Sequence, residues 1–410
     1  MYRSIECILA TFLSREKLKV LHVDCSDSYG GNDSSLSHSQ FVSHVQKVDA
    51  NCRQWCLESD TNENDHFLFE NDRQFSIDIS IPRLLFCHSA SVDFLVSQQV
   101  SKYLSFLPVK QLLVGDWEFP TSRSKIFADK LLTMTEKRCL MTLFKSVASN
   151  STAVHSTTMV SAQTEAPQKE WNGTAIDFLS SEFSIHRPEL IQAIIHGMCL
   201  FPHSPGSMSA SDLHFGLIRF IASLTAFGDN NALLVPMYGN SDLPQAFARA
   251  AAVEGALYIL NCPLAKLKPE LPEVLVIVTA PSQAQPVSVL HAVVGHKKGE
   301  DNLSAALAIL PGATLTSPPV FMLTLPVGVS PPGCVLKHYF QFGDEQECFD
   351  NILHANDCLF SSRFRHTASH AHPFDIEDEI EAARIQFNKC MGLALDTPVP
   401  EKAPCDAESP

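Results

Sequence analysis

Asp242 and Arg249 lie seven residues apart in the run SDLPQAFARAAAVEGALYIL, which spans residues 241–260. On a helix that spacing is two turns, so an acid and a base point the same way. Ser241 and Asp242 are residue types that cap helix N-termini, and Pro244 falls in the first turn, where its missing N–H costs nothing. Leu243, Phe247, Ala250, Ala251 and Val253 recur at helical spacing, and Gly255 is placed to stop the helix. A strand-like run from Ala256 to Leu260 follows. The pattern predicts a short helix pinned by its apolar face and showing a carboxylate and a guanidinium to a partner. An ordinary surface helix between two core elements meets the same pattern.

Few other residues are arranged for chemistry. The sequence contains no Gly-rich phosphate loop, nucleophile elbow or His-Glu metal motif, so no catalytic constellation is expected. His366, His370 and His372 are close in sequence, but their spacing matches no usual zinc site, and the Ser, Thr and Pro around them describe a loop. Tyr29-Gly30-Gly31 reads as a turn after a strand. Phe127 and Arg138 sit on a predicted helix over 122–147, whose apolar stripe is Phe127, Leu131, Leu132, Met134, Leu140, Leu143 and Phe144. On that reading alone Phe127 is a core residue.

The elements that must position these residues follow from periodicity. Residues 2–13 read as a helix and 18–23 as a buried strand ending in Asp24, the second half of a dinucleotide-binding βαβ unit. The chain begins inside that helix, without the first strand and the turn that would cradle a pyrophosphate. A truncated gene model or splice form is therefore expected, and a flavin or nicotinamide cofactor is disfavoured. Residues 32–72 are polar and read as a loop. Phe75, Ile77 and Ile79 alternate as in a half-buried strand. A helix is expected from Val92 to Phe106, short strands over 107–120 with Trp117 in the core, and a Ser/Thr-rich linker over 149–168. Helices follow at 174–184, 187–200 and 211–227. Beyond the central stretch come strands at 274–278, 287–294, 305–310 and 320–325, then a helix over 345–360. An amphipathic helix over 375–391 has Asp375, Glu377 and Asp378 in its first turn.

The central stretch also resembles a known family. Tyr238, Gly239, Asp242, Leu243, Pro244, Gln245, Phe247, Arg249, Gly255, Tyr258 and Leu260 stand in the order of the signature of the Rab GDP dissociation inhibitor and Rab escort protein superfamily, with Asp242 where the family has Glu and Ser241 where it has Gly. Tyr29-Gly30-Gly31 after Asp24 is similar to a second family segment, as are Phe75 to Asp78, Leu84 to Phe86 and Val100 to Tyr103. The resemblance implies that Tyr29, Asp242, Gln245 and Arg249 form a platform for GDP-bound Rab GTPases. Phe127, Lys130, Leu132, Thr133, Met134, Glu136, Lys137 and Arg138 resemble the escort branch in particular. There the Phe enters the α subunit of the Rab geranylgeranyltransferase α/β heterodimer and the Arg supports it, whereas GDP dissociation inhibitors lack the Phe. The implied function is that of a non-catalytic accessory. It would present Rabs for prenylation and carry the geranylgeranyl group to a membrane, with transient contact there. The alternatives are an inhibitor that recycles prenylated Rabs and a flavin-dependent oxidoreductase of the same fold.

The fold class implied is α/β. A dinucleotide-binding-like sheet domain of the FAD/NAD(P)-binding kind would comprise residues 1–120 and 229–395, with a smaller all-helical domain over 121–228 and a disordered tail over 396–410. Burying a twenty-carbon chain in the helical domain would relieve on the order of 10 kcal/mol of exposure, and a plain helical core reads identically in sequence. Composition is consistent with this class. The 410 residues are 45% hydrophobic and 18% charged, enough for a large core. A net charge of −15 argues against nucleic acid as partner. Thirteen cysteines without a framework, and no signal peptide or span, fit reduced thiols in the cytosol.

Overall fold

The structure, a computed structural model, describes residues 4–24, 31–47, 62–154, 173–227, 231–262, 274–278, 287–297, 304–310, 319–326, 328–342, 358–368 and 374–400. Tyr29, His370 and His372 lie outside these residues. The chain opens with α1 (Ser4–Arg15), β1 (Lys19–Val23), β2 (Ser35–Leu36), α2 (His38–Lys47) and α3 (Asn62–Glu70). It continues through β3 (Ile77–Asp78), β4 (Leu85–Phe86), α4 (Ala90–Ser97), β5 (Phe106–Val114) and β6 (Trp117–Glu118). Five helices follow: α5 (Arg123–Ala128), α6 (Met134–Val154), α7 (Ala175–Phe183), α8 (Pro188–Gln192) with a π-turn over Ala193–Met198, and α9 (Ala210–Ala226). The central stretch supplies β7 (Leu233–Pro236), α10 (Asp242–Val253) and β8 (Leu257–Ile259). The last part holds β9 (Val274–Val278), β10 (Val287–Lys297), β11 (Ala305–Ile309), β12 (Val320–Leu325), β13 (Cys334–Phe342), β14 (Cys358–Ala368) and α11 (Glu377–Met391).

Three sheets organise these elements. β8, β1 and β9 form a parallel sheet with β1 in the centre. A nine-stranded sheet runs β14-β10-β13-β12-β11-β5-β7-β4, with β6 paired to β5. Its strands are antiparallel except for the pair β5 and β11. β2 and β3 make a small ribbon. One core lies between the nine-stranded sheet and helices α6 to α9, through residues such as Leu140, Leu143, Ile194, Leu213, Leu217, Phe321 and Phe340. The helices over 121–228 thus share their core with the sheet. A second core joins α1, α4, α10 and α11 around Phe12, Phe247 and Phe387. The architecture is α/β, the class that the sequence predicts.

Several local expectations are corrected. The stretch 32–72 is not a featureless loop: α2 and α3 dock Phe41 and Leu68 in the first core. The strand over Phe75–Ile79 shrinks to the two residues of β3. The helix expected over 92–106 ends at Ser97, because Gln99 takes a left-handed φ of 52° and turns the chain into β5. β5 is one nine-residue strand, not several short ones. Trp117, by contrast, packs half-buried against the first core as expected, and its Nε1 donates to Asp129 at 2.9 Å.

The helix over 122–147 is two helices. Asp129 accepts from the N–H groups of Leu131 and Leu132 at 2.7 and 2.9 Å, closing a turn that a continuous helix would not allow. Thr133 and Glu136 then cap α6 reciprocally. α6 runs to Val154, into the expected linker.

Residues 358–360, expected as the end of a helix, begin β14, which also carries His366; residues 343–357 are outside the described part. Asp375 precedes α11 rather than opening it, and is buried with bonds from Ser91 and Arg219. Residues 396–400 do not fray. The Thr397 carbonyl accepts from Arg384 at 3.2 Å and Asn388 at 2.8 Å, and Val399 packs on the second core. Among the described residues no helix is long and apolar enough to cross a membrane, and no cluster of His, Cys, Asp and Glu could hold a metal.

Candidate binding site

α10 is pinned by the side opposite its charges. Leu243, Phe247, Ala250 and Ala251 are buried in the second core, and Thr11 Oγ1 on α1 donates to the Phe247 carbonyl at 3.0 Å. Val253, expected on this face, is 68% exposed. Gly255 has φ of 104° and ends the helix as expected.

The start of the helix is fixed by tertiary contacts, not by the expected N-cap. Ser241 has helical backbone angles and its side chain caps nothing. Its N–H instead donates to Ser35 Oγ at 3.0 Å. The neighbouring Asn240 is the anchor. Its N–H donates to Asp78 at 2.8 Å, its Nδ2 to the Ile81 carbonyl at 2.8 Å, and its Oδ1 accepts from the Arg83 N–H at 2.8 Å. Gly239, at φ of 91°, lets the turn press against this floor; a Cβ there would lie 2.5 Å from Ser35 Oγ and 2.7 Å from Asp78 Oδ1. Burial pushes the Asp78 carboxyl up to about 7, against the bonds it accepts from Ser35 and Asn240. None of these anchors was legible in the sequence, because each pairs residues about 160 or more positions apart.

Arg83 extends the anchor. Its guanidinium meets Asp33 at 3.1 Å and Glu379 at 2.7 Å, and donates to the Asp375 carbonyl at 2.8 Å, so α11 and the floor beneath α10 share one buried cation. Both carboxylates favour its charged form.

Asp242, Gln245 and Arg249 line one cavity of about 420 Å³, together with Tyr103, Ala252, Leu257 and Tyr258. The acid and the base predicted to share a face therefore do so. Arg249 and Gln245 are exposed and Asp242 is half-buried. The Asp242 carboxylate accepts from the Tyr238 N–H at 3.3 Å, and burial nonetheless pushes its pKa up to about 6. The Arg249 guanidinium lies over the Tyr103 ring, 4.8 Å from its centroid. Tyr103 and Tyr258 appear in the family-like segments, yet neither was expected at the site.

Phe127 is 54% exposed at the end of α5, so it is not a core residue. Leu131 and Met134, expected beside it in the buried stripe, are 60% and 63% exposed, while Leu132, Leu140 and Leu143 are buried. The break at Asp129 takes Phe127 out of the stripe, and Leu131 and Met134 fall in the turn after it and at the first position of α6. The cation over the Phe127 ring is Arg123, at 5.9 Å, and Lys137 Nζ donates to the Phe127 carbonyl at 3.0 Å. Arg138 stands exposed on α6.

Cysteine chemistry does not compete for a role here. Among the described residues seven cysteines are free, and burial pushes the Cys7 thiol up and the Cys87 thiol up to about 11, which suppresses the nucleophilic thiolate.

Comparison with known proteins agrees with the resemblance read from the sequence. Rab escort protein 1 of Arabidopsis thaliana is 28% identical over 304 residues, which cover 64% of this chain and 53% of that protein. The Rab proteins geranylgeranyltransferase component A of Saccharomyces cerevisiae is 28% identical over 287 residues, covering 65% and 43%. An Arabidopsis guanosine nucleotide diphosphate dissociation inhibitor is 29% identical over 271 residues, covering 64% and 55%. The chain spans about half the length of the curated relatives it matches. Among solved structures, the fold is similar to a Rab GDI from Plasmodium falciparum, with a TM-score of 0.65, 15% identity, and coverage of 95% of this chain and 96% of that one. It is also similar to an oxidoreductase from Methanosarcina mazei, with a TM-score of 0.52, 11% identity, and coverage of 89% and 85%. The sequence profile of the GDP dissociation inhibitor family matches residues 4–292, and the chain belongs to that family.

Proposed function

We propose that the protein is a Rab escort protein, a non-catalytic accessory acting in the cytosol. It binds GDP-bound Rab GTPases through Asp242, Gln245 and Arg249, with Tyr29 completing the platform. It docks the Rab geranylgeranyltransferase α/β heterodimer through Phe127, with Arg138 in support. The transferase does the chemistry on the Rab C-terminal cysteines. The helices over 121–228 then shelter the geranylgeranyl group, by parting along their apolar faces, until the Rab reaches a membrane. No cofactor takes part.

The observation that carries the escort reading is the exposure of Phe127 on a short helix beside Arg123. A solvent-facing aromatic with a flanking guanidinium is the composition of an interface hot spot. A GDP dissociation inhibitor that recycles prenylated Rabs is the second reading, favoured by the Plasmodium Rab GDI fold and by the 29% identity to the Arabidopsis inhibitor.

Reconstitution of prenyl transfer separates the two. Purified transferase and a GDP-loaded Rab should turn over only when this protein is added, and Phe127→Ala should abolish that stimulation while leaving Rab binding and thermal stability unchanged. If the parent gives no stimulation, the escort reading is wrong and the inhibitor reading stands; if Phe127→Ala stimulates as well as the parent, Phe127 is not the docking residue.

A further inference from the structure

The guanidinium of Arg249 has a feature that the family signature does not predict: it lies over an aromatic ring. Arg249 is exposed, near the C-terminal end of α10, on a long side chain that would otherwise sample many rotamers. The Tyr103 ring sits 4.8 Å from its Cζ, inside the range where a cation is drawn to the negative face of an aromatic ring. No ion pair or hydrogen bond of the Arg249 side chain is seen among the described residues, so its fork of donors remains available.

Tyr103 is itself firmly set. It ends a 3₁₀ turn over Ser101–Tyr103, its N–H donates to the Val100 carbonyl at 2.9 Å, and its side chain packs partly buried against the second core. Gln99, two residues before this turn, has a left-handed φ of 52°. Lys102 Nζ lies 5.0 Å from the centroid of the same ring.

We propose that Tyr103 is the positioning residue for Arg249. Its ring fixes the guanidinium at the rim of the cavity, so that binding a carboxylate-bearing partner surface does not have to freeze a free side chain. This rests on the reading of that cavity as a Rab-binding surface.

The test is a double-mutant cycle on the full chain, with affinity for a purified GDP-loaded Rab as readout. Tyr103→Phe keeps the ring face and should bind as the parent does. Tyr103→Leu keeps bulk without a ring and should weaken binding three- to tenfold by a faster off-rate. In an Arg249→Ala background the same Tyr103→Leu change should have no further effect. Fluorinated phenylalanines placed at position 103 keep the ring's shape while draining its negative face. They should weaken binding stepwise with each added fluorine, and only when Arg249 is present. A Tyr103→Leu loss that persists without Arg249 would show that Tyr103 touches the partner directly, and a flat fluorine series would show that it merely packs; either overturns the proposal. If the parent protein binds no GDP-loaded Rab, it is the functional reading that fails.

Discussion

Asp242→Asn tests the site and the fold together. The carboxylate is half-buried, accepts one 3.3 Å bond from the Tyr238 N–H, and has its pKa raised from 3.8 to about 6, chiefly by desolvation. An acid whose pKa is raised by folding binds more protons folded than unfolded between those two values. Stability therefore falls as pH rises from about 4 to about 6, and the cost is complete above that. Two pKa units at about 1.36 kcal/mol each set a ceiling near 3 kcal/mol. Solvent still reaches the group and screens it, so about 1 kcal/mol is expected to survive. Asparagine keeps the acceptor for Tyr238 and removes the charge. Urea unfolding at pH 7.5 should show Asp242→Asn more stable than the parent by about 1 kcal/mol, with the gap closing by pH 4.5. Asp78, raised partly by Asp242, will titrate slightly lower in the variant, which adds to the gain. Binding of a GDP-loaded Rab should weaken in the variant, and in the parent should weaken as pH falls through about 6. A variant less stable than the parent at pH 7.5 would mean that the carboxylate is stabilised by a cation, and the account of the site as an unpaired acid held for a partner would be wrong. Loss of stability in exchange for function is a recurrent property of binding sites.

Gly239→Ala should destabilise by about 2 kcal/mol or more, since it combines a left-handed φ with a Cβ driven into Ser35 and Asp78; hydrogen exchange should show the first turn of α10 opening before the rest of the helix. Arg83→Met leaves Asp33 and Glu379 without their cation and should cost about 3–5 kcal/mol. That loss should shrink in acid as Glu379, which burial pushes up to about 7, protonates, and a melting series from pH 5 to 8 would reveal it.

Two kinds of expectation separate in this chain. Where an apolar period ran unbroken, as in α1, α9 and α10, the helix was legible. Where a polar side chain turned back on the main chain, as Asp129 does, or a left-handed residue intervened, as Gln99 does, one long helix was read in place of two elements. α2 and α3 escaped notice because each contributes few core residues, Phe41 and Leu68 among them, whose burial depends on a floor built by distant parts of the chain.

The amino-acid order by itself established the α/β class, the family, and the fact that Asp242 and Arg249 face one way, since helical spacing and a fixed string of residues are local properties. The tertiary structure decided which of those residues are ready to bind. It raised the Asp242 pKa by burial, set Arg249 on a ring 146 positions earlier in the chain, and left Phe127 in solvent by ending its helix at Asp129. Desolvation, ring stacking and exposure depend on what lies within a few ångströms, and chain folding alone determines that.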